Sequence, residues 1–79
     1  MIKDEIKEVM SSIFMIDVSK ISDKTIQSDI ENWDSLQHLN LIVALEEKYS
    51  INLEPEEIQE MISLEKIIDI ITTKFNSVS

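Results

Sequence analysis

The stretch "NWDSLQHLNL", residues 32–41, holds the side chains best spaced for chemistry. Asp34 precedes Ser35, and His38, the single histidine, follows Ser35 by three positions. On a helix such positions share a face, so Ser35 and His38 would be neighbours. Three chemistries fit. Ser35 could belong to a helix cap, where Ser and Asp are both favoured. It could be a nucleophile with His38 as base, which would also need an orienting group, an oxyanion hole and a cleft. It could be an attachment point at the start of a helix, where unpaired N–H groups and the dipole favour an anion such as a phosphodiester.

Composition narrows the choice. The chain has 79 residues and a formal charge of −9, with seven lysines, no arginine and sixteen acidic residues. One domain over residues 1–79 with one modest core is expected. The absence of cysteine excludes disulfides and a thiolate of the chain's own. With one histidine, a zinc site is not expected. Nucleic acid and anionic membrane surfaces need clustered cations, which this sequence lacks, so neither is an expected partner. Basic protein partners suit it better. No apolar run approaches the ~20 residues of a membrane span. The N-terminal "MIKDEIKEVM" lacks the apolar core of a signal peptide, so a cytoplasmic protein is expected.

The elements that would position Ser35 are helices. The chain has no glycine and one proline, Pro55, which leaves little support for tight hairpins or phosphate-cradling glycine loops. Ile2, Ile6, Val9, Met10 and Ile13 recur at helical spacing and predict helix I over residues 2–14. The four methionines read as adaptable core filling. Residues 16–33 form a long connection, with Ile21, Ile26 and Ile30 expected to pin it to the core and a helical turn near residues 22–28. Helix II is predicted over residues 35–49, with Asp34 as N-cap and Gln37 completing a capping box. Gln37, Asn40, Ala44, Glu47 and Lys48 fall on one polar arc. Leu36, Leu39, Leu41, Ile42, Val43, Leu45 and Tyr49 cover most of the remaining circumference, so helix II is expected to touch neighbours on more than one side. A short helix III starts at "EPEE", with Pro55 in its first position, and ends near Met61. Ser63 then caps helix IV, expected over residues 64–75. "KIIDIITT" could pass for a strand, but no second strand is there to pair with it. Trp33 either staples the start of helix II to the core or serves as a recognition aromatic, and His38 reads as a surface or interface residue.

"DSLQHLNLIVALEEKYSINLEPEEIQEMISLEKI" resembles the acyl carrier protein family. Asp34, Ser35 and Leu36 match its central motif; Ala44, Leu45, Glu46, Glu47 and Tyr49 match the end of its leucine-rich helix. The likeness covers residues 30–75 closely and the N-terminal third in layout only. It implies an all-α four-helix bundle with a long loop between helices I and II and a short third helix. It also implies a carrier and not an enzyme. Ser35, flanked by Asp34 and Leu36, would hold 4′-phosphopantetheine, transferred from coenzyme A by a phosphopantetheinyl transferase. The arm's thiol would carry an acyl or aminoacyl group as a thioester between loading ligases, acyltransferases or synthases, with the carrier itself a monomer. An acyl pocket between helices II and III would be lined by Leu39, Val43, Leu45, Ile58 and Ile62. Docking would involve Trp33, Gln37, His38, Asn40, Glu46, Glu47, Glu56 and Glu57. The sequence departs from the fatty-acid type at Gln37 and Asn40, where that type carries acidic residues, and at Asn32-Trp33 before the Asp-Ser pair. Those departures resemble discrete carriers of polyketide, peptide or surface-saccharide pathways. The alternative reading is an unmodified acidic helical adaptor for a basic partner.

Overall fold

A computed structural model describes residues 2–78. Four helices follow in order: α1 (Ile2–Phe14), α2 (Ser35–Tyr49), α3 (Pro55–Glu60) and α4 (Leu64–Val78). The bundle is all-α, as the absence of glycine and the helical stripes predict. Helix α1 packs against α2 and α4, and α3 packs against α4. Ile6, Met10 and Phe14 of α1 meet Leu41, Ile42 and Leu45 of α2 and Leu64, Ile67 and Ile71 of α4 in one buried core. Burying each large apolar side chain stabilises the fold by about 1.5–3 kcal/mol before ordering costs, which is why three stripes at helical spacing suffice.

The helix ends follow local chemistry. Helices α1 and α2 both stop at left-handed residues, Met15 (φ 57°) and Ser50 (φ 54°), because the sequence has no glycine to offer there. Pro55 opens α3, and the Glu57 carboxylate accepts the Glu54 N–H at 2.8 Å. Ser63 caps α4 by accepting the Lys66 N–H at 3.1 Å. Helix α4 runs to Val78, one turn beyond the expected end, since nothing after Phe75 breaks it.

The α1–α2 connection is ordered by its own bonds. It holds two 3₁₀ turns, Val18–Lys20 and Gln27–Asp29, in place of one turn over residues 22–28. Ile21 and Ile30 are buried as expected, whereas Ile26 is exposed. The backbone explains Ile26: it forms an isolated antiparallel bridge with Ser63, flanked by Gln27 N–H to Ile62 O (2.8 Å) and Leu64 N–H to Thr25 O (2.9 Å). The connection is therefore stitched to the α3–α4 junction through main chain, and the Ile26 side chain is left outside. The methionines divide as well. Met10 and Met61 fill the core, Met15 is exposed at its helix-ending position, and Met1 lies outside the described residues.

Candidate functional site

Ser35 is the first residue of α2 and is exposed. The cap is made by Asp34, whose side chain accepts the Gln37 N–H at 2.8 Å. The reciprocal half of the expected box does not form. The Asp34 N–H donates to Asn32 O (3.0 Å), and the Gln37 amide oxygen instead accepts from Asn40 Nδ2 (2.9 Å). The cap thus leaves the Ser35 hydroxyl out of its bonding, and among the described residues nothing engages that hydroxyl.

Trp33 and His38 form the support beneath the site. Trp33 is only 3% exposed and packs on Phe14 with ring centroids 5.0 Å apart, so it takes the core role and its ring is not a docking surface. Its indole N–H donates to His38 Nδ1 at 2.9 Å. An indole can only donate, so Nδ1 must accept and Nε2 must carry the proton. Nε2 then donates to the Ile58 carbonyl in α3 at 2.8 Å. His38 is therefore a part-buried bridge from the first turn of α2 to α3 and to Trp33, at a position expected to be surface or interface. Both ring nitrogens are committed, so His38 has no lone pair to take a proton from Ser35, and the nucleophile reading fails on geometry.

The rest of the expected docking and pocket residues separate. Leu36, Leu39 and Val43 are 67%, 55% and 53% exposed. The expectation that helix II is covered on more than one side fails there, because α3 is six residues long and covers none of the three. Gln37 and Asn40 lie beside this apolar stripe, paired with each other. Glu47 and Glu56 are exposed, but Glu46 and Glu57 are engaged internally. Glu46 accepts the Leu53 N–H at 2.8 Å. Glu57, besides its bond to Glu54, pairs with Lys74 at 3.0 Å; that backbone N–H and then the ammonium hold its carboxyl below the usual range. Of the five expected pocket residues, Leu45 is in the core, Ile58 packs half-buried against it, and Leu39, Val43 and Ile62 are exposed. They are divided between the core and the surface. A groove of about 530 Å³ opens between the α1–α2 connection and the α3–α4 junction, with Ile62 and Trp33 in its lining.

Comparison with known proteins decides the lineage. No protein-family model matches the chain. The acyl carrier protein of Buchnera aphidicola from Schizaphis graminum is 33% identical over 73 residues, 92% of each chain. The chain belongs to the acyl carrier protein family. A polyketide-8 synthase acyl carrier protein of Streptomyces avermitilis is 26% identical over 70 residues, 89% of this chain and 83% of that one. The solution structure of a holo acyl carrier protein from Geobacter metallireducens superposes with a TM-score of 0.85 at 30% identity, covering 96% of this chain and 87% of the other. As a member, the chain is a non-catalytic carrier that works with a phosphopantetheine arm and hands acyl groups to partner enzymes. Among the described residues no group of side chains is arranged to hold a metal ion, and no helix is long and apolar enough to cross a membrane.

Sequence reasoning missed the His38 bridge and the exposed leucines. The only signal for the bridge was the coexistence of one Trp and one His five residues apart. For the leucines, the signal was an apolar arc wider than one short neighbour could cover.

Proposed function

We propose that Ser35 holds the 4′-phosphopantetheine arm through a phosphodiester to its hydroxyl, within a single carrier domain over residues 1–79. The observation that carries this reading is the division of labour at the α2 N-terminus: Asp34 makes the cap, and the exposed Ser35 hydroxyl is left unengaged. The N-terminal end of a fifteen-residue helix favours the added negative charge. The arm supplies the thiol that a chain without cysteine lacks, and that thiol holds the acyl or aminoacyl cargo. Asp34 fixes the turn on which Ser35 stands, and the exposed Leu36 gives the transferase an apolar contact next to it.

Leu36, Leu39 and Val43 form the docking stripe, edged by Gln37, Asn40 and Glu47. A phosphopantetheinyl transferase and a cargo-loading ligase, acyltransferase or synthase would read it. Its neutral Gln37–Asn40 pair suits partners other than those of a strongly acidic helix, which supports a specialised pathway. A monomer acting in the cytoplasm, where coenzyme A and the transferase would meet it, completes the reading.

The test is direct. Incubation with coenzyme A and a broad-specificity transferase should raise the intact mass by one phosphopantetheine, and Ser35→Ala should abolish the gain. Because Asp34 retains the cap, Ser35→Ala should change stability by less than about 1 kcal/mol. Well-folded protein that no such transferase modifies would support the unmodified adaptor.

A further inference from the structure

Ser35 stands at the end of a three-residue approach, Asn32 to Asp34, in which each residue is tied down by a side chain. The Asn32 amide donates to the carbonyl of Phe14, the last residue of α1, at 2.9 Å. It thereby satisfies one of the carbonyls that a helix end leaves without a partner. The Gln27 amide donates to the Trp33 carbonyl at 3.1 Å. That carbonyl lies just outside α2, whose first helical bond runs from the His38 N–H to Asp34 O at 2.8 Å. Gln27 is itself held from the other side, since its backbone N–H donates to Ile62 O at 2.8 Å. The Asp34 side chain then caps α2.

Two of these ties have no part in the hydrophobic core. Asn32 is exposed and Gln27 is half-buried, yet both direct their amides to main-chain carbonyls outside their own turn. Holding a long polar side chain in one rotamer costs entropy, so the two bonds oppose the natural freedom of this segment. The backbone of each approach residue has two soft dihedrals, and a change in any of them swings Ser35 relative to the bundle. The Ser35 hydroxyl, left out of the cap, does nothing to restrain them. The aim of that hydroxyl is therefore set by Asn32 against α1 and by Gln27 against the α3–α4 junction.

We propose that Gln27 and Asn32 are positioning residues for transfer of the arm onto Ser35, holding the approach in the arrangement that the transferase binds. The proposal rests on the Ser35 reading above. Both side chains bond to carbonyls and not to Ser35, so their effect is on presentation and not on the chemical step. With a tie removed, only a fraction of the carrier is competent to bind, and apparent affinity falls by that fraction while the bound complex reacts as before. One net hydrogen bond shifts such an equilibrium by about 2- to 13-fold.

The experiment measures initial rates of modification of the full chain by coenzyme A and a broad-specificity transferase, with the carrier concentration varied. Gln27→Met and Asn32→Ala remove the amides without adding charge. Each should raise KM for the carrier about threefold to tenfold and leave kcat within about twofold. Asp17→Ala is the control: Asp17 caps the first 3₁₀ turn of the same connection through the Ser19 N–H and has no bond to residues 32–34. Its KM should equal that of the unaltered chain. Nitrogen relaxation should show lower order parameters at Trp33, Asp34 and Ser35 in the two amide variants, with those of α4 unchanged. Far-UV circular dichroism and intact mass are recorded on every sample, and if one amide variant loses helix the other decides. If the unaltered chain gains no arm, the Ser35 reading fails and this proposal with it. If it gains the arm but KM stays within twofold in the folded variants, or the loss falls on kcat, or Asp17→Ala raises KM as much, the positioning role alone is overturned.

Discussion

Removing the His38 side chain should cost this small bundle about half of its stability. His38→Ala deletes two hydrogen bonds, from Trp33 Nε1 at 2.9 Å and to Ile58 O at 2.8 Å. Each contributes about 0.5–1.5 kcal/mol net, so the pair amounts to about 2 kcal/mol. Two corrections oppose each other. The buried indole N–H loses its acceptor, which raises the cost, whereas the half-buried Ile58 carbonyl can recruit water, which lowers it. A core of this size rarely leaves more than about 3–5 kcal/mol in total. With a urea dependence near 1 kcal/mol/M, appropriate to so short a chain, the unfolding midpoint should fall by about 2 M. Trp33 is the single tryptophan, so its fluorescence and far-UV circular dichroism give independent traces of one transition. A double-mutant cycle with Trp33→Phe isolates the indole–imidazole bond, with an expected coupling of about 1 kcal/mol. Nitrogen NMR of the imidazole should show the Nε2–H tautomer. A midpoint shift under about 0.5 M, additive single variants, or an Nδ1–H tautomer would refute the bridge.

Two further expectations test other parts of the fold. Tyr49, the only tyrosine, is held well above its ordinary value of 10.0 by burial and by donating its hydroxyl to Glu5 at 2.8 Å. Its contribution to stability is therefore complete below pH 10.0 and is lost as the pH rises past that value. The tyrosinate absorbance should appear together with loss of helix, and ionisation of Tyr49 in a still-folded chain would contradict the assignment. Ser50→Gly should stabilise the protein by roughly 1 kcal/mol in urea unfolding, because Ser50 ends α2 in the left-handed region at φ 54°, where a Cβ is penalised. A loss of stability would mean that the Ser50 side chain makes a contribution its backbone geometry does not reveal.

Local chemistry alone determined a good deal of this molecule. Stripes at helical spacing set α1 over Ile2–Phe14 and α2 over Ser35–Tyr49, and "EPEE" set the start of α3. Asp34 was recognisable as the cap because capping depends on a side chain two or three residues from the N–H groups it satisfies. The motif around Ser35 carried the family resemblance, since it is a run of neighbouring residues at a helix start.

What only the tertiary structure decided involves partners distant in the chain. Apolar periodicity records which faces are hydrophobic, not which have a neighbour. Leu36, Leu39 and Val43 therefore looked like core until the short α3 left them uncovered. Glu46 and Glu57 looked like surface charge, yet backbone N–H groups and Lys74 absorb them. His38 reaches Ile58 across twenty residues, and Ile26 meets Ser63 across thirty-seven, contacts that no local pattern encodes. Those two contacts tie down the α2–α3 seam and build the groove beside Trp33. The sequence thus determined where the helices start and which residues cap them, and packing between distant segments decided which faces they leave uncovered.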